Sequence, residues 1–223
     1  MSFNVAIDGP AGAGKSTIAK KIAKKMDYIY IDTGAMYRAM ALFFLKNGMK
    51  AEETNKISRK CKDADISIEY VNGEQVVLLD GENVNGLIRT EEVGNMASAS
   101  SVNREVREKL VELQQKLAKS KNVIMDGRDI GTVVLPDADV KIYLTASSTV
   151  RAKRRYDELT AKGQQVDIDV IEKDIIERDH RDMTRDNSPL RQAEDAILLD
   201  SSDMTIDEVV DAIISLCKKA QNQ

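Results

Sequence analysis

Two rhythms of apolar and polar positions run along this chain. After an apolar run from Phe3 to Ile7, the residues Ile18, Ile22 and Met26 recur every four positions while Lys20, Lys21, Lys24 and Lys25 fill the opposite face. That spacing predicts an amphipathic helix lying on a sheet. Short apolar runs at Ile29–Ile31, Val123–Met125, Val140–Leu144 and Ala196–Leu199 predict further strands, and their lack of clean alternation predicts burial on both faces. Helical stretches separate them at Met36–Lys46, Val150–Ala161, Val170–Arg185 and Ile206–Lys218, the last opening on a capping box, Thr205 with Glu208. Strands alternating with helices predict an α/β fold with a mostly parallel, doubly wound sheet of about five strands.

From about residue 62 the rhythm changes. Ile66–Val71, Gln75–Leu79 and Glu82–Asn85 read as short strands joined by Asn72-Gly73 and Asp80-Gly81, dipeptides that favour tight hairpin turns. A small antiparallel meander inserted into the α/β core is expected, with two helices returning the chain to it. The second of those carries Val106, Leu110, Leu113 and Leu117 as an apolar stripe after Asn103 as cap.

Composition narrows the classes. The 223 residues fit one domain with a sizeable insertion, and 42% hydrophobic residues support a buried core. A net charge of −4 argues against a general nucleic-acid footprint. No apolar run reaches membrane-spanning length, and the first strand begins too early for a secretory leader to be expected. Cys61 and Cys217 are far apart, so no disulfide framework is indicated, and reduced thiols in a cytoplasmic protein are expected. With one histidine, His180, and no Cys/His cluster, a zinc site is not expected.

The chemistry begins at Gly9-Pro10-Ala11-Gly12-Ala13-Gly14-Lys15-Ser16, which fits the phosphate-loop pattern G-x-x-x-x-G-K-[ST] and stands between a strand and a helix as that loop requires. Glycines let the backbone wrap an anion with its N–H groups turned inward. Lys15 can reach the β- and γ-phosphates and the Ser16 hydroxyl can ligate Mg²⁺. A bound nucleoside triphosphate is expected.

Three further constellations bear on what the triphosphate is used for. Asp32-Thr33-Gly34-Ala35-Met36-Tyr37-Arg38 ends one strand and starts its helix, where a second anion pocket would form; an ordinary cap with a solvated arginine would show the same residues. Asp126-Gly127-Arg128-Asp129 follows an apolar strand, placing Asp126 to hold Mg²⁺ through water and Arg128 and Asp129 above the sheet. Arg178, Asp182 and Arg185 share one helical face, although i,i+4 pairs such as Arg178–Asp182, each worth about 0.3–0.5 kcal/mol, are common on solvated helices. Arg151 and Arg155, one turn apart, either clamp phosphates or a base from a closing segment or lie on a solvated helix face.

Together these segments resemble the bacterial cytidylate kinase family almost end to end: IDGPAGAGKST (7–17), DTGAMYR (32–38), IRTEEVGNMAS (88–98), DGRDIGTVV (126–134) and ERDHRDMTR (177–185). The resemblance implies transfer of the γ-phosphoryl of ATP to CMP or dCMP with Mg²⁺; a monomer is expected. It implies the phosphate loop through Thr17 as the donor site, which Arg151 and Arg155 are expected from their spacing to join, and Lys15, Arg38, Arg128 and Arg185 as the charges at the transferred group. It further implies Thr33, where the family often has Ser, and Tyr37 beside the acceptor; Ser98, Arg107 and Asp129 reading cytosine; and Arg178 with Asp182 at the sugar. The corresponding division is a core of about 1–61, 122–152 and 167–223, an acceptor-binding insertion of about 62–121, and a lid of about 153–166. A carboxylate at Asp129 should attract the C4 amino group of cytosine and repel the carbonyl of uracil, so CMP is preferred to UMP. A kinase of another nucleotide or of a hydroxylated metabolite shares the phosphate loop but not the insertion and paired Arg/Asp motifs. A GTP-driven switch would want N-K-x-D, and the nearest string, Asn55-Lys56-Ile57-Ser58, lacks the Asp.

Overall fold

The computed structural model describes residues 2–119 and 121–222. Its contacts divide into two compact units, residues 1–28 with 122–223 and residues 29–121. The fold has a five-stranded parallel sheet; four of its strands belong to the first unit, and the fifth, β2 (Ile29–Asp32), belongs to the second.

In the first unit the strand order is β6-β1-β7-β8, formed by β1 (Asn4–Asp8), β6 (Val123–Gly127), β7 (Val140–Thr145) and β8 (Ile197–Asp200), all parallel. Val5, Ile7, Ile124, Met125, Ile142 and Leu144 are fully or almost fully buried, as central parallel strands require. Each such side chain contributes about 1.5–3 kcal/mol by leaving water. The last strand departs from the expected burial on both faces: among the described residues β8 is paired only with β7, and Ile197 and Leu198 are 43% and 56% exposed. Around this sheet lie α1 (Lys15–Met26), α6 (Ser148–Ala161), α7 (Ile168–Thr184) and α8 (Ile206–Gln221). The period-four stripe of α1 is buried at Ile18 and Ile22. The capping box of α8 is formed, with Thr205 Oγ1 accepting from the Glu208 amide and the Glu208 carboxylate accepting from that of Thr205.

The second unit holds β2, α2 (Thr33–Lys46), α3 (Thr54–Lys60), a three-stranded antiparallel sheet, α4 (Glu91–Ser100) and α5 (Arg104–Ala118). The small sheet runs β3-β4-β5, from β3 (Ile66–Val71), β4 (Glu74–Leu79) and β5 (Glu82–Asn83). Asn72 and Gly73 have φ of 52° and 79°, and Asp80 and Gly81 have 51° and 81°. Both turns thus take the doubly left-handed form that matches strand twist. The unit that contains this meander begins at Ile29, earlier than residue 62, because α2 packs on β4 and α4. The buried face of α5 is Val106, Arg107, Leu110, Gln114 and Ala118. Leu113 and Leu117 of the expected stripe sit on its flank, half-buried. The short helix α3 had no clear periodicity to announce it.

Candidate functional site

In the first unit the chain leaves β1 at Asp8 and turns through the glycine loop into α1. Gly9 has a φ of 149°, and a Cβ there would stand 1.9 Å from the Leu144 carbonyl oxygen, so no other residue fits. Ala13 buries its methyl in the core, whereas Gly12 and Thr17 are exposed. The cap of α1 is Gly14, which offers no side-chain acceptor, and the first turn carries no acidic residue. The amides at this helix start are therefore left for an anion.

Lys15 is buried, and its Nζ donates to the carbonyls of Gly9 and Pro10, each at 2.7 Å. Burial, then the Arg128 charge, push the ammonium well below the usual lysine range; Asp126 and Asp8 pull it back up and Arg178 lowers it further. Burial and the two guanidiniums thus disfavour the ammonium here, and a bound polyphosphate would favour it. Ser16 Oγ donates to Asp126 Oδ2 at 2.9 Å across the loop-to-β6 gap. A hydroxyl and a carboxylate are hard oxygen donors suited to Mg²⁺, which keeps several waters and takes phosphate oxygens as further ligands. Among the described residues no group of three His, Cys, Asp or Glu forms an all-protein metal cage. The donor pair thus fits a metal delivered with a nucleotide.

Asp182 of α7 gathers the arginines. Arg128 Nε donates to Asp182 Oδ2 at 2.8 Å, and Arg185 Nη1 lies 3.9 Å from its Oδ1. Arg185 also donates from Nε and Nη2 to the Ser188 carbonyl, at 2.8 and 2.6 Å. Burial pushes the Asp182 carboxyl up, but Arg128, Arg178 and Arg185 more than reverse this and hold it below the usual range. Asp182 is itself buried, so the reading of this helix as a solvated face with i,i+4 surface pairs does not hold. Asp129 is buried beside Arg128, at the start of a short π-turn, Ile130–Val134.

Arg151 is buried too, with its three arms engaged. Its Nε donates to Ala146 O and its Nη1 to Ala11 O, both at 2.9 Å, and its Nη2 lies 2.7 Å from Asp179 Oδ2. It braces the crest of the phosphate loop from α6, so the solvated-face alternative fails for this residue. Arg155, half-exposed, pairs with Glu158 on its own helix at 2.9 Å.

The remaining candidates belong to the second unit. Asp32 caps α2 by accepting from the Ala35 amide at 2.9 Å, and its other oxygen takes Arg89 Nη2 at 2.7 Å. Gln75 of β4 brackets the same residue: its Oε1 accepts from the Asp32 amide at 2.8 Å and its Nε2 donates to the carbonyl at 3.3 Å. A Cβ on Gly34 would come within 3.3 Å of both Arg38 Nη1 and Asp32 Oδ1, so glycine lets the Arg38 guanidinium lie along the first turn of α2. Thr33 is buried at that turn, and the Arg107 guanidinium sits 5.4 Å from the centre of the Tyr37 ring. Arg107 Nη1 also donates to Ser101 O at 3.2 Å. Ser98 lies half-buried on α4. Asp32 is thus both the ordinary cap and the ion-pair partner of Arg89.

Sequence reasoning missed Asp8, Gln75, Arg89 and Asp179. Asp8 accepts from the amides of Ile130 and Gly131, each at 2.7 Å. Its carboxyl is raised to about 6: burial and, less strongly, Asp129 push it up, against the Gly131 and Ile130 amides and Lys15, which lower it. A polar residue closing an apolar strand just before Gly9 was the available signal. The others meet partners far along the chain that no spacing reveals.

A parallel sheet, a glycine loop opening α1 and a hydroxyl–carboxylate pair behind it define a phosphate-loop nucleotide-binding fold. Shikimate kinase from Bacteroides thetaiotaomicron shares that fold, with a TM-score of 0.50 and 14% identity over 97% of this chain and 98% of its own. The family model described as Cytidylate kinase matches residues 5–219. Curated cytidylate kinases from Caldicellulosiruptor saccharolyticus and Shouchella clausii are 56% and 48% identical, over 97% and 99% of this chain and 96% and 98% of their own lengths. This chain belongs to the cytidylate kinase family, and it is an enzyme of that type.

Proposed function

We propose that this protein transfers the γ-phosphoryl group of ATP to CMP or dCMP, forming ADP and CDP or dCDP. The observation that carries the reading is the cluster of Arg128, Arg178 and Arg185 about Asp182, whose positive field reaches Lys15 of the phosphate loop. Two polyanions meet in such a reaction, and positioning with charge neutralisation supplies most of the catalysis.

A phosphate oxygen of the acceptor attacks the γ-phosphorus while the bond from that phosphorus to the β–γ bridging oxygen breaks. The electron pair leaves with ADP. The acceptor phosphate is already an oxyanion, so no general base is needed. Lys15 exchanges the Gly9 and Pro10 carbonyls for phosphate oxygens, and the amides at the start of α1 hold the donor. Arg128 and Arg185, with Arg38 of the second unit, take the acceptor phosphate. Asp129, Arg107 and Ser98 read the cytosine edge, and Arg178 and Asp182 hold the sugar. Ser16 and Asp126 would hold Mg²⁺, which would supply positive charge to offset that of the donor phosphates.

Residues of about 62–121 form the acceptor-binding subdomain and about 153–166 the lid that excludes water from the donor. The largely exposed course of the chain after Tyr156 supports the latter. We further infer a cytoplasmic monomer, as the family resemblance suggests for location; among the described residues no helix is long and apolar enough to cross a membrane.

The test is acceptor-dependent ADP release from ATP with CMP, dCMP, UMP and AMP. Turnover should be greatest with CMP and dCMP. Greater turnover with AMP or UMP, or ADP release indifferent to any acceptor, would overturn the reading.

A further inference from the structure

Asp8 stands between two pieces of the site that its own role does not touch. It is the last residue of β1, directly ahead of Gly9, and it pairs in register with Gly127 of β6. Beyond Gly127 come Arg128 and Asp129, and then the π-turn. The amide of Ile130 donates to Asp8 Oδ1 and that of Gly131 to Oδ2, both at 2.7 Å. The same residue therefore grips this turn twice, through the strand ladder before Arg128–Asp129 and through its carboxylate after them.

The grip substitutes for a local one. Asp129, at the cap position of the π-turn, makes no side-chain cap of its own. The anion at that helical start is supplied from 122 residues away. Gly131 packs closely at this point: a Cβ there would come 3.2 Å from Lys141 Cδ and would touch Asp8 Oδ2 at 3.4 Å.

We propose that Asp8 is a positioning residue for acceptor recognition, fixing the Arg128–Asp129 turn relative to the phosphate loop so that Asp129 is spared capping duty and can read the base. The inference rests on the assignment of Asp129 to cytosine. Burial makes a charged carboxylate at position 8 costly, as its raised proton affinity attests. A group retained at that cost, with each oxygen committed to one amide, fits a geometric task.

The test is steady-state kinetics of Asp8→Asn with CMP, UMP and ATP as varied substrates. An amide accepts through one atom and presents donors at the other, so one of the two amides loses its partner and the turn shifts. Displacements of about 1 Å can cost up to about a hundredfold, so kcat/KM for CMP should fall about 10- to 100-fold. The CMP-to-UMP ratio of kcat/KM should shrink at least about fivefold, while KM for ATP moves less than about twofold. Equal losses on CMP and UMP, or a change confined to ATP, would overturn the proposal. Should Asp8→Asn not fold, Gly131→Ala carries the test with Asp8 intact: its Cβ crowds Lys141 at 3.2 Å on the turn that Asp8 grips, and the ratio should move the same way. A wild-type enzyme that does not prefer CMP would sink the functional reading instead; a CMP-selective wild type whose variants keep that ratio sinks only the role of Asp8.

Discussion

Asp182 Oδ2 accepts from Arg128 Nε at 2.8 Å while its Oδ1 faces Arg185 Nη1 at 3.9 Å, so one buried carboxylate restrains two guanidiniums that come from separate stretches of chain. Replacing Asp182 by Asn removes that restraint and leaves like charges facing each other. Unfolding free energy at pH 7 should fall by about 2–3 kcal/mol, measured by urea titration. Because its folded-state carboxyl is held below the ordinary value, the contribution is complete above the unfolded value near 3.8 and fades as pH falls through the folded one. The difference between wild type and Asp182→Asn should accordingly close in acid. Added inorganic phosphate should recover part of it at pH 7.

Lys15 is a buried cation made less comfortable by its arginine neighbours. Lys15→Met should abolish turnover, with kcat at least about a thousandfold lower, because the charge facing the transferred group is gone. Thermal stability without nucleotide should not drop, since a buried ammonium has been exchanged for an apolar chain of similar length. Differential scanning calorimetry beside the kinetic assay checks the opposite directions.

For Asp129→Asn the expectation is a loss of discrimination. The amide can donate to the uracil carbonyl, and a buried polar match is worth about 1–3 kcal/mol, so the CMP/UMP ratio of kcat/KM should fall about 5- to 150-fold. An unchanged ratio would remove this residue from base reading.

Asp8 carries a pH signature. Its carboxyl is raised from 3.8 to about 6 in the folded chain, so the folded state binds more protons between those values and stability from this group declines as pH rises through them. The shift corresponds to about 3 kcal/mol at most. Urea unfolding of wild type and Asp8→Asn from pH 4 to 7 should show the variant gaining on the wild type with rising pH. A flat difference would mean the carboxyl is not perturbed.

Arg151 bonds the Ala11 carbonyl at the loop crest and is itself held by Asp179. Arg151→Ala should raise KM for ATP about tenfold or more, with a smaller effect on KM for CMP. Asp179→Asn should move ATP binding the same way, and the double variant should lose little beyond Arg151→Ala alone. Fully additive losses would show that the two act independently.

Much of this was legible in the residues. The glycine loop, the two hairpins at Asn72-Gly73 and Asp80-Gly81 and the capping box at Thr205 are local devices, so spacing reveals them. The burial of one face of α7 was not legible: Arg178, Asp182 and Arg185 read equally well as a solvated face until Arg128 arrives from β6. Asp8 escaped for the same reason, since its partners lie beyond residue 129 and parallel pairing joins segments that no short window holds together. The exposed edge of β8 was missed because an apolar run does not say how many neighbours it will have.

The place where a Gly9 side chain would begin is taken by the carbonyl oxygen of Leu144. The cradle is therefore seated on its neighbouring strand and cannot be transplanted as a peptide motif. Moving it into another scaffold would require bringing β7 along, and random mutagenesis of that glycine should return no tolerated alternative.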